Sequence, residues 1–154
     1  MDAVFKTENI IFNYRVAGVW LYKKHVLLHR EAKDFHWSLP GGRVKVGEDS
    51  QTAIQREFEE ELGLKANVGK LIWSVENFFE YNRNKYHEIG FYYYILNVPE
   101  VFNSTGFYGK EGERLIYQWT PIEELPSMEL YPEILKTEIK ILPNESNHFI
   151  VKDV

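Results

Sequence analysis

The segment from Gly41 to Leu64 constrains the fold more than any other, because it encodes a helix with clear boundaries at both ends. Asp49 or Ser50 can cap its N-terminus by accepting a backbone N–H bond, and Gly63 suits the left-handed residue that ends it. Apolar side chains recur at every fourth position of this span: Ile54, Phe58 and Leu62. One face of the helix is therefore expected to pack on a core. We predict a helix over residues 50–62.

A neighbouring face of the same helix carries three carboxylates. Glu57, Glu60 and Glu61 occupy positions i, i+3 and i+4, which lie within about 100° around the helix axis. Like charges at these spacings repel by roughly 0.2–0.5 kcal/mol per pair, and a divalent cation with oxygen ligands would offset that repulsion. Glutamates of this kind, taken alone, most often form a solvated face. Arg56, four residues before Glu60, is placed to pair with it.

Composition excludes several classes of protein. The chain of 154 residues contains no cysteine, so disulfides and thiolate metal sites are ruled out. The net charge of −5, with no basic cluster longer than Lys23-Lys24, argues against binding to duplex nucleic acid. No apolar run approaches the roughly 18 residues of a membrane span, and the N-terminus has no secretory signal pattern. We expect a single cytoplasmic domain covering residues 1–154, with no membrane contact.

Apolar and alternating segments predict strands on both sides of the helix. The predicted strands are RVAGVWLY, HVLLHR, VGKLIWSVENFFEY, KYHEIGFYYYILNV, RLIYQWT and HFIVKDV. Residues 34–41 are expected to be extended, residues 99–113 to form a long loop, and residues 131–141 to form a second helix. Helices on both sides of a mixed sheet give an α/β (α+β) protein built as an α/β/α sandwich.

The spacing of the charged residues resembles the Nudix box, GX5EX7REUXEEXGU, where U is a bulky aliphatic residue. Gly42 is followed after five residues by Glu48, and seven residues later by the run from Arg56 to Leu64. Every fixed position of this 23-residue pattern is present, and only Phe58 departs from it, being aromatic. A pattern of this length is much more specific than a short glycine motif. The preceding WSLPGG and the later strands also resemble that family.

The resemblance implies hydrolysis of a nucleoside diphosphate linked to another group, by attack of water on phosphorus, with Mg²⁺ or Mn²⁺ as cofactor. The catalytic residues that it implies are Glu48, Arg56, Glu57, Glu60 and Glu61. The metal ligands that it implies are Glu57, Glu60 and Glu61, with Gly41 and the loop residue Glu111 added. Glu113 is a rival of Glu111 for that place. Gly41 and Gly42 would let the backbone approach the substrate phosphates.

Aromatic residues make up 16% of the chain, and some of them are candidates for stacking on a nucleobase. Those outside the expected core pattern are Phe35, Trp37, Phe79, Tyr81, Phe107 and Tyr108. The first four are our substrate-binding candidates. His87 and Glu88 could position substrate or a second metal, but their side chains should point to opposite faces of a strand, which favours separate structural roles.

Two functions remain open at this point. The leading hypothesis is a metal-dependent hydrolase of an NTP, a dNTP, an oxidised nucleotide or a nucleotide sugar such as ADP-ribose. The alternative is a catalytically silent Nudix-like module that senses a nucleotide or scaffolds a partner. A silent module is expected to have lost one or more helix glutamates, and all are present here. The sequence does not choose the substrate, and a homodimer is also left open.

Overall fold

The structure, a computed structural model, describes residues 1–153. The elements along the chain are β1 (Val4–Lys6), β2 (Ile10–Tyr22), β3 (His25–Glu31), β4 (Gly41–Arg43), α1 (Ser50–Leu62), β5 (Val68–Tyr81), β6 (Asn84–Ile95), β7 (Phe107–Gly109), β8 (Gly112–Pro121), a 3-10 helix (Ile122–Ser127), α2 (Leu135–Glu138) and β9 (Asn147–Asp153). No helix among these residues is long and apolar enough to cross a membrane.

The strands form one mixed sheet. Its order in the described part of the chain is β7-β8-β3-β2-β6-β5-β9, and the short strands β1 and β4 also pair with β2. The pairs β2–β6 and β5–β9 are parallel, and the remaining pairs are antiparallel. The long central strands β2, β6 and β5 therefore place residues far apart in sequence directly beside one another.

Each face of the sheet has its own apolar core, because successive residues of a strand point to opposite faces. On one face, Ile54 and Phe58 of α1 pack in a cluster with Val16 of β2. On the other face, Leu125 of the 3-10 helix and Leu135 of α2 belong to a second cluster. The predicted α/β/α sandwich is confirmed, with a thin layer of short helices on the second face.

The helix predicted over residues 50–62 is present with those bounds. The carboxylate of Asp49 accepts the backbone N–H of Thr52 at 2.8 Å. Gly63 ends the helix with φ of 64°, and its N–H donates to the Glu59 carbonyl. Because both caps are local, the sequence alone defines this element.

The predicted strands are also present, except that Val154, the last residue of the predicted strand HFIVKDV, lies outside the described residues. Two of the turns between strands explain the hairpin register. Lys23 and Lys24 have φ of 46° and 61°, and Asn82 and Arg83 have φ of 50° and 66°. Positive φ at two successive residues is the geometry of the tight turn that matches the twist of antiparallel strands. The β2–β3 and β5–β6 hairpins therefore close without the Asn-Gly pair that usually marks them.

Two predictions near the C-terminal half were wrong in part. The loop expected over 99–113 contains β7, which folds back on β8, so nearly half of it, from residue 107 onward, belongs to a hairpin. The helix expected over 131–141 has only four α-helical residues. Its backbone bonds are mostly of the i to i+3 kind, such as Lys136 N–H to the Glu133 carbonyl at 3.1 Å, so it consists of tight turns around one helical turn. Leu135 and Ile139 are buried although the helix is this short.

Candidate active site

A cleft of about 1130 Å³ opens beside the glutamate face of α1. Glu57, Glu60 and Glu61 line it from the helix, and Gly41 and Gly42 line it from β4. The fold thus brings the glycine turn, which we define as Gly41, Gly42 and Arg43, and the carboxylates of the sequence motif to the same side of the cleft. The sequence predicted this convergence.

Arg56 holds the carboxylates on this side of the cleft in place. Its Nε and Nη2 donate to the two oxygens of Glu48 at 2.8 and 2.9 Å. Its Nη1 donates to Glu57 Oε1 at 2.9 Å and to Glu60 Oε2 at 3.2 Å. These bonds lower the pKa of Glu48 to about 2 and raise that of Arg56 above its ordinary value. The pairing with Glu60 predicted from the helix spacing is present, but the bidentate pair with Glu48 has the shorter bonds.

Two of the three helix glutamates are withdrawn from water. Glu61 is 5% exposed, and the side chain of Glu57 is 13% exposed. Burial, followed by the charge of Glu57, raises the pKa of Glu61 to about 8, although the Tyr117 hydroxyl donates to Glu61 Oε2 at 3.2 Å. Burial also raises the pKa of Glu57. Neighbouring buried carboxylates of this kind disfavour their own ionisation unless a positive charge is brought to them.

The glycine turn is shaped by what lies against it. A Cβ built on Gly42 would lie 2.5 Å from the carboxyl carbon of Glu57, and one built on Gly41 would lie 2.0 Å from the carbonyl oxygen of Val16. Both distances are far below contact distance, so neither position accepts a side chain without displacement of its neighbours. Gly42 makes room for Glu57, which is a requirement that the sequence did not reveal.

The aromatic candidates divide into two groups. Trp37, Phe79 and Tyr81 line the cleft, whereas Phe35 is 82% exposed and lies outside its lining. Phe35 is exposed at a local turn in which the carboxylate of Asp34 accepts the backbone N–H groups of residues 35 and 36, at 2.6 and 3.1 Å, and its role in substrate binding stays a prediction. Phe107 and Tyr108 line a separate pocket of about 430 Å³.

The aromatic side chains in the cleft are held by specific contacts. The guanidinium of Arg30 lies over the Trp37 ring at 5.3 Å, a cation–π arrangement. Phe79 stacks on Tyr86 with 5.0 Å between centroids and 3° between planes. The hydroxyl of Tyr81 donates to Asp34. These rings are therefore fixed in place before any ligand arrives.

The loop between β7 and β8 brings one further carboxylate to the cleft. Glu111 lines it and lies 3.7 Å from the guanidinium of Arg114. The charge of Glu111 also contributes to the raised pKa of Glu61. Glu111 therefore lies near Glu61, the most buried member of the glutamate wall, which consists of Glu57, Glu60 and Glu61. Glu113 is exposed and does not line the cleft, so the structure separates the two rivals.

Several polar residues of the cleft were missed by the sequence analysis. Arg15 donates to the Leu39 carbonyl at 2.8 Å, and its charge opposes the rise in the pKa of Glu57 and of Glu61. His29 and Asn77 are also buried in the lining. A polar residue inside a central strand was the available signal, but only the strand register shows that these residues share one cleft.

His87 and Glu88 do point to opposite faces, as predicted. His87 stacks on Phe78 with 4.5 Å between ring centroids, which is a packing role. Glu88 is 8% exposed, accepts a bond from Asn13 Nδ2 at 2.8 Å and lines the cleft.

A model of the NUDIX domain matches residues 13–143, most of the chain. The chain belongs to the NUDIX family. The 8-oxo-dGTP diphosphatase of Haemophilus influenzae is 34% identical to this Nudix chain over 124 residues, which cover 78% of the chain and 81% of the relative. Together with the retained motif glutamates, these matches identify the chain as a Nudix pyrophosphohydrolase.

Solved structures agree on the Nudix fold. The Mutator MutT protein of Bacillus halodurans has a TM-score of 0.63 at 16% identity, and the match covers 91% of this chain and 90% of that one. The MutT protein of Methanosarcina mazei has a TM-score of 0.59 at 22% identity, and the match covers 88% and 94%. At these identities the comparison supports the fold alone.

The donor chemistry of the Nudix helix fits a hard divalent cation, since Glu57, Glu60 and Glu61 offer only oxygen ligands. Among residues 1–153, no group of three or more histidine, aspartate or glutamate side chains is already arranged to hold a metal ion. Arg56 engages one oxygen of Glu57 and one of Glu60 in this arrangement. Cation binding would therefore have to compete with these bonds, and Glu60, whose side chain is 49% exposed, has the freedom to turn.

Proposed function

We propose that this Nudix enzyme hydrolyses the diphosphate linkage of a nucleoside diphosphate joined to another group, with Mg²⁺ or Mn²⁺ held by Glu57, Glu60 and Glu61. The observation that carries the proposal is the pair Glu57 and Glu61, whose carboxylates line a large cleft and whose pKa values are raised by burial. Gly41 and Glu111 are the further members of the proposed ligand set, since both line the same cleft.

Each residue of the wall has a distinct task in this proposal. Arg56 orients Glu57 and Glu60 through its bonds to one oxygen of each, and Glu48 in turn fixes the guanidinium of Arg56 through two bonds. A bound cation would neutralise the diphosphate and activate water, which lowers the barrier by several kcal/mol. One helix glutamate or Glu111 takes the proton of the attacking water as general base. Buried carboxylates are suited to this task, because desolvation makes them more basic.

The substrate end of the cleft suits a nucleotide. Trp37, Phe79 and Tyr81 provide aromatic surface in the same cavity as the carboxylates, and base stacking on such rings contributes ~1–3 kcal/mol. Arg15 offers a cation for a substrate phosphate. The named relative acts on 8-oxo-dGTP, so an NTP, dNTP or oxidised nucleotide comes first among the candidate substrates, followed by a nucleotide sugar such as ADP-ribose.

The test is a phosphate-release assay across NTPs, dNTPs, oxidised guanine nucleotides, ADP-ribose and dinucleoside polyphosphates, with Mg²⁺ or Mn²⁺ and with EDTA. We expect a cation-dependent substrate in this panel. Hydrolysis that is equal in EDTA would contradict the proposal. Silence across the panel, with nucleotide binding retained, would favour the sensor or scaffold module.

A matched pair of variants separates the site from the helix surface. Glu60→Gln should lower turnover by orders of magnitude, because it removes one carboxylate charge from the proposed ligand set. It should cost the fold little, since the Glu60 side chain is half exposed. Glu59→Gln, on the exposed side of the same turn, should keep full turnover. Equal activity of the two variants would refute the assignment.

The single domain over residues 1–154 and a cytoplasmic location stay predictions, and the question of a homodimer stays open. Size-exclusion chromatography with light scattering tests the homodimer.

A further inference from the structure

We propose that the floor of the cleft contains a subsite for a heterocycle that presents two neighbouring N–H donors, as the Watson–Crick edge of guanine does. Glu88 and Asn77 would accept these hydrogen bonds. The inference rests on the proposed function in one respect, since the heterocycle would be the base of the nucleotide substrate.

The first support is the register of three central strands. Asn77 of β5 lies opposite Glu88 of β6, and Glu88 lies beside Asn13 of β2. Paired residues of neighbouring strands point to the same face, and directly opposed Cβ atoms of an antiparallel pair are about 4.5–5.5 Å apart. The three side chains therefore form one polar row across the sheet. They are 6%, 8% and 4% exposed in the order given.

The second support is the bonding within this polar row. Asn13 Nδ2 donates to only one oxygen of Glu88, Oε1, at 2.8 Å. Within the described residues, Asn77 Oδ1 is buried and has no hydrogen-bond partner. A buried carbonyl oxygen without a donor is unfavourable and calls for an explanation. Because Asn77 and Glu88 both line the cleft, a ligand that supplies donors there is the explanation that we favour.

The polar row should distinguish purine bases by the hydrogen-bond donors that each base presents. Carboxylate and amide carbonyl oxygens accept hydrogen bonds and donate none. Guanine presents a ring N–H next to an exocyclic amine, and hypoxanthine keeps the ring N–H but lacks that amine. Adenine places an unprotonated ring nitrogen at this position, which would face an acceptor. A site that loses a buried hydrogen bond rejects the analogue strongly, so the expected order of affinity is guanine, hypoxanthine, adenine.

The surroundings fit the same ligand. Phe79 lies two residues from Asn77 on the same face of β5 and lines the cleft, where it can stack on a flat heterocycle. Arg15 lies two residues from Asn13 along β2, about 7 Å away, and its strand neighbour across the ladder is Arg43 of the glycine turn. Arg15 thus stands between the polar row and the glutamate wall, where the phosphates of a bound nucleotide would lie.

The test uses binding alone. Dissociation constants of GMP, IMP and AMP are measured by isothermal titration calorimetry in EDTA, for the wild-type protein and for Glu88→Gln. We expect the wild type to bind GMP about ten- to a hundredfold more tightly than IMP, with AMP weaker still. Glu88→Gln should bring GMP and IMP within about twofold, since it replaces an acceptor oxygen with an amide NH2 donor. Glu76→Gln, which lies on the next strand and pairs with His148 outside the cleft, should keep the wild-type preference.

Two results would overturn the subsite: wild-type protein that binds IMP as tightly as GMP, or Glu88→Gln that keeps the preference. Asn77→Ala is the second variant, in case Glu88→Gln lowers the melting temperature through its bond to Asn13. It should also reduce the preference, and an unchanged ratio in Asn77→Ala refutes the proposal as well. Monophosphates contain no diphosphate linkage, so the outcome is independent of hydrolysis. Guanine selectivity in a protein that hydrolyses no nucleotide would reject the proposed function and keep the subsite.

Discussion

His29 makes the stability of this protein depend on pH in a way that the structure predicts. The residue is 7% exposed, and burial, reinforced by the charges of Arg15 and Arg114, lowers its pKa from 6.5 to about 3. These two arginines reach it from β2 and β8, and Tyr117 is its ring neighbour at 5.5 Å. No hydrogen-bond partner within the described residues compensates Nδ1, so the folded protein keeps this imidazole neutral.

The direction in which the stability changes with pH follows from proton linkage. Between pH 3 and pH 6.5 the unfolded chain binds a proton at this histidine and the folded chain does not, so acid favours unfolding. The contribution of neutral His29 to the free energy of unfolding is fully present above pH 6.5 and is lost progressively as the pH decreases toward 3. Each pH unit below 6.5 removes about 1.4 kcal/mol. The loss is therefore about 2 kcal/mol at pH 5, a large part of the 5–15 kcal/mol that stabilises a typical domain.

The perturbation is His29→Gln, which has no titrating group. Urea unfolding curves of wild type and variant are recorded in EDTA from pH 7.5 to pH 5. The free energy of unfolding of the wild type should fall by about 2 kcal/mol more than that of the variant over this interval. Subtraction cancels the titration of all other groups. If the free energy of unfolding falls equally with pH in the two proteins, His29 takes up its proton at the same pH in the folded and the unfolded state. The reasoning from its burial would then be refuted.

Three further predictions concern the glutamate wall. Arg56→Lys should lower both turnover and the free energy of unfolding, the latter by ~1–3 kcal/mol in urea titrations, because lysine cannot reproduce the bidentate pair with Glu48. Gly42→Ala should lower kcat by about tenfold or more with little change in melting temperature, because its Cβ displaces the carboxylate end of the Glu57 side chain; unchanged kcat would disprove this steric role. Glu111→Gln should reduce turnover by about tenfold in the coupled phosphate assay, whereas Glu113→Gln, outside the cleft, should not. Equal kinetics of these last two variants would return Glu111 to a structural role.

The predictions that succeeded depend on neighbours in sequence. The caps Asp49 and Gly63, the apolar stripe and the spacing of Glu57, Glu60 and Glu61 are all defined within one helix and its two ends. Such local signals survive folding because the tertiary structure does not change which residues share a helix face. The bond between Arg56 and Glu60 is of the same kind.

The predictions that failed depend on contacts that the sequence does not display. The helix expected over 131–141 contains one α-helical turn, because packing of a few apolar residues against the sheet outweighs local helix propensity. The strand β7 forms only because it pairs with β8. In each case the outcome was decided by a partner outside the local pattern.

The polar row is the strongest example of this limit, because Asn13, Asn77 and Glu88 come from three separate segments. Each residue alone predicts nothing more than an unusual position in a strand. Only the parallel pairing of β2 with β6 and the antiparallel pairing of β6 with β5 bring them side by side. The helix that the motif encodes can supply the same hydrolytic chemistry to many substrates, so the choice of substrate has to be made elsewhere. In the proposed subsite the register of β5 and β6 makes that choice, because it places the acceptor oxygens of Asn77 and Glu88 side by side, with Asn13 of β2 bonded to Glu88.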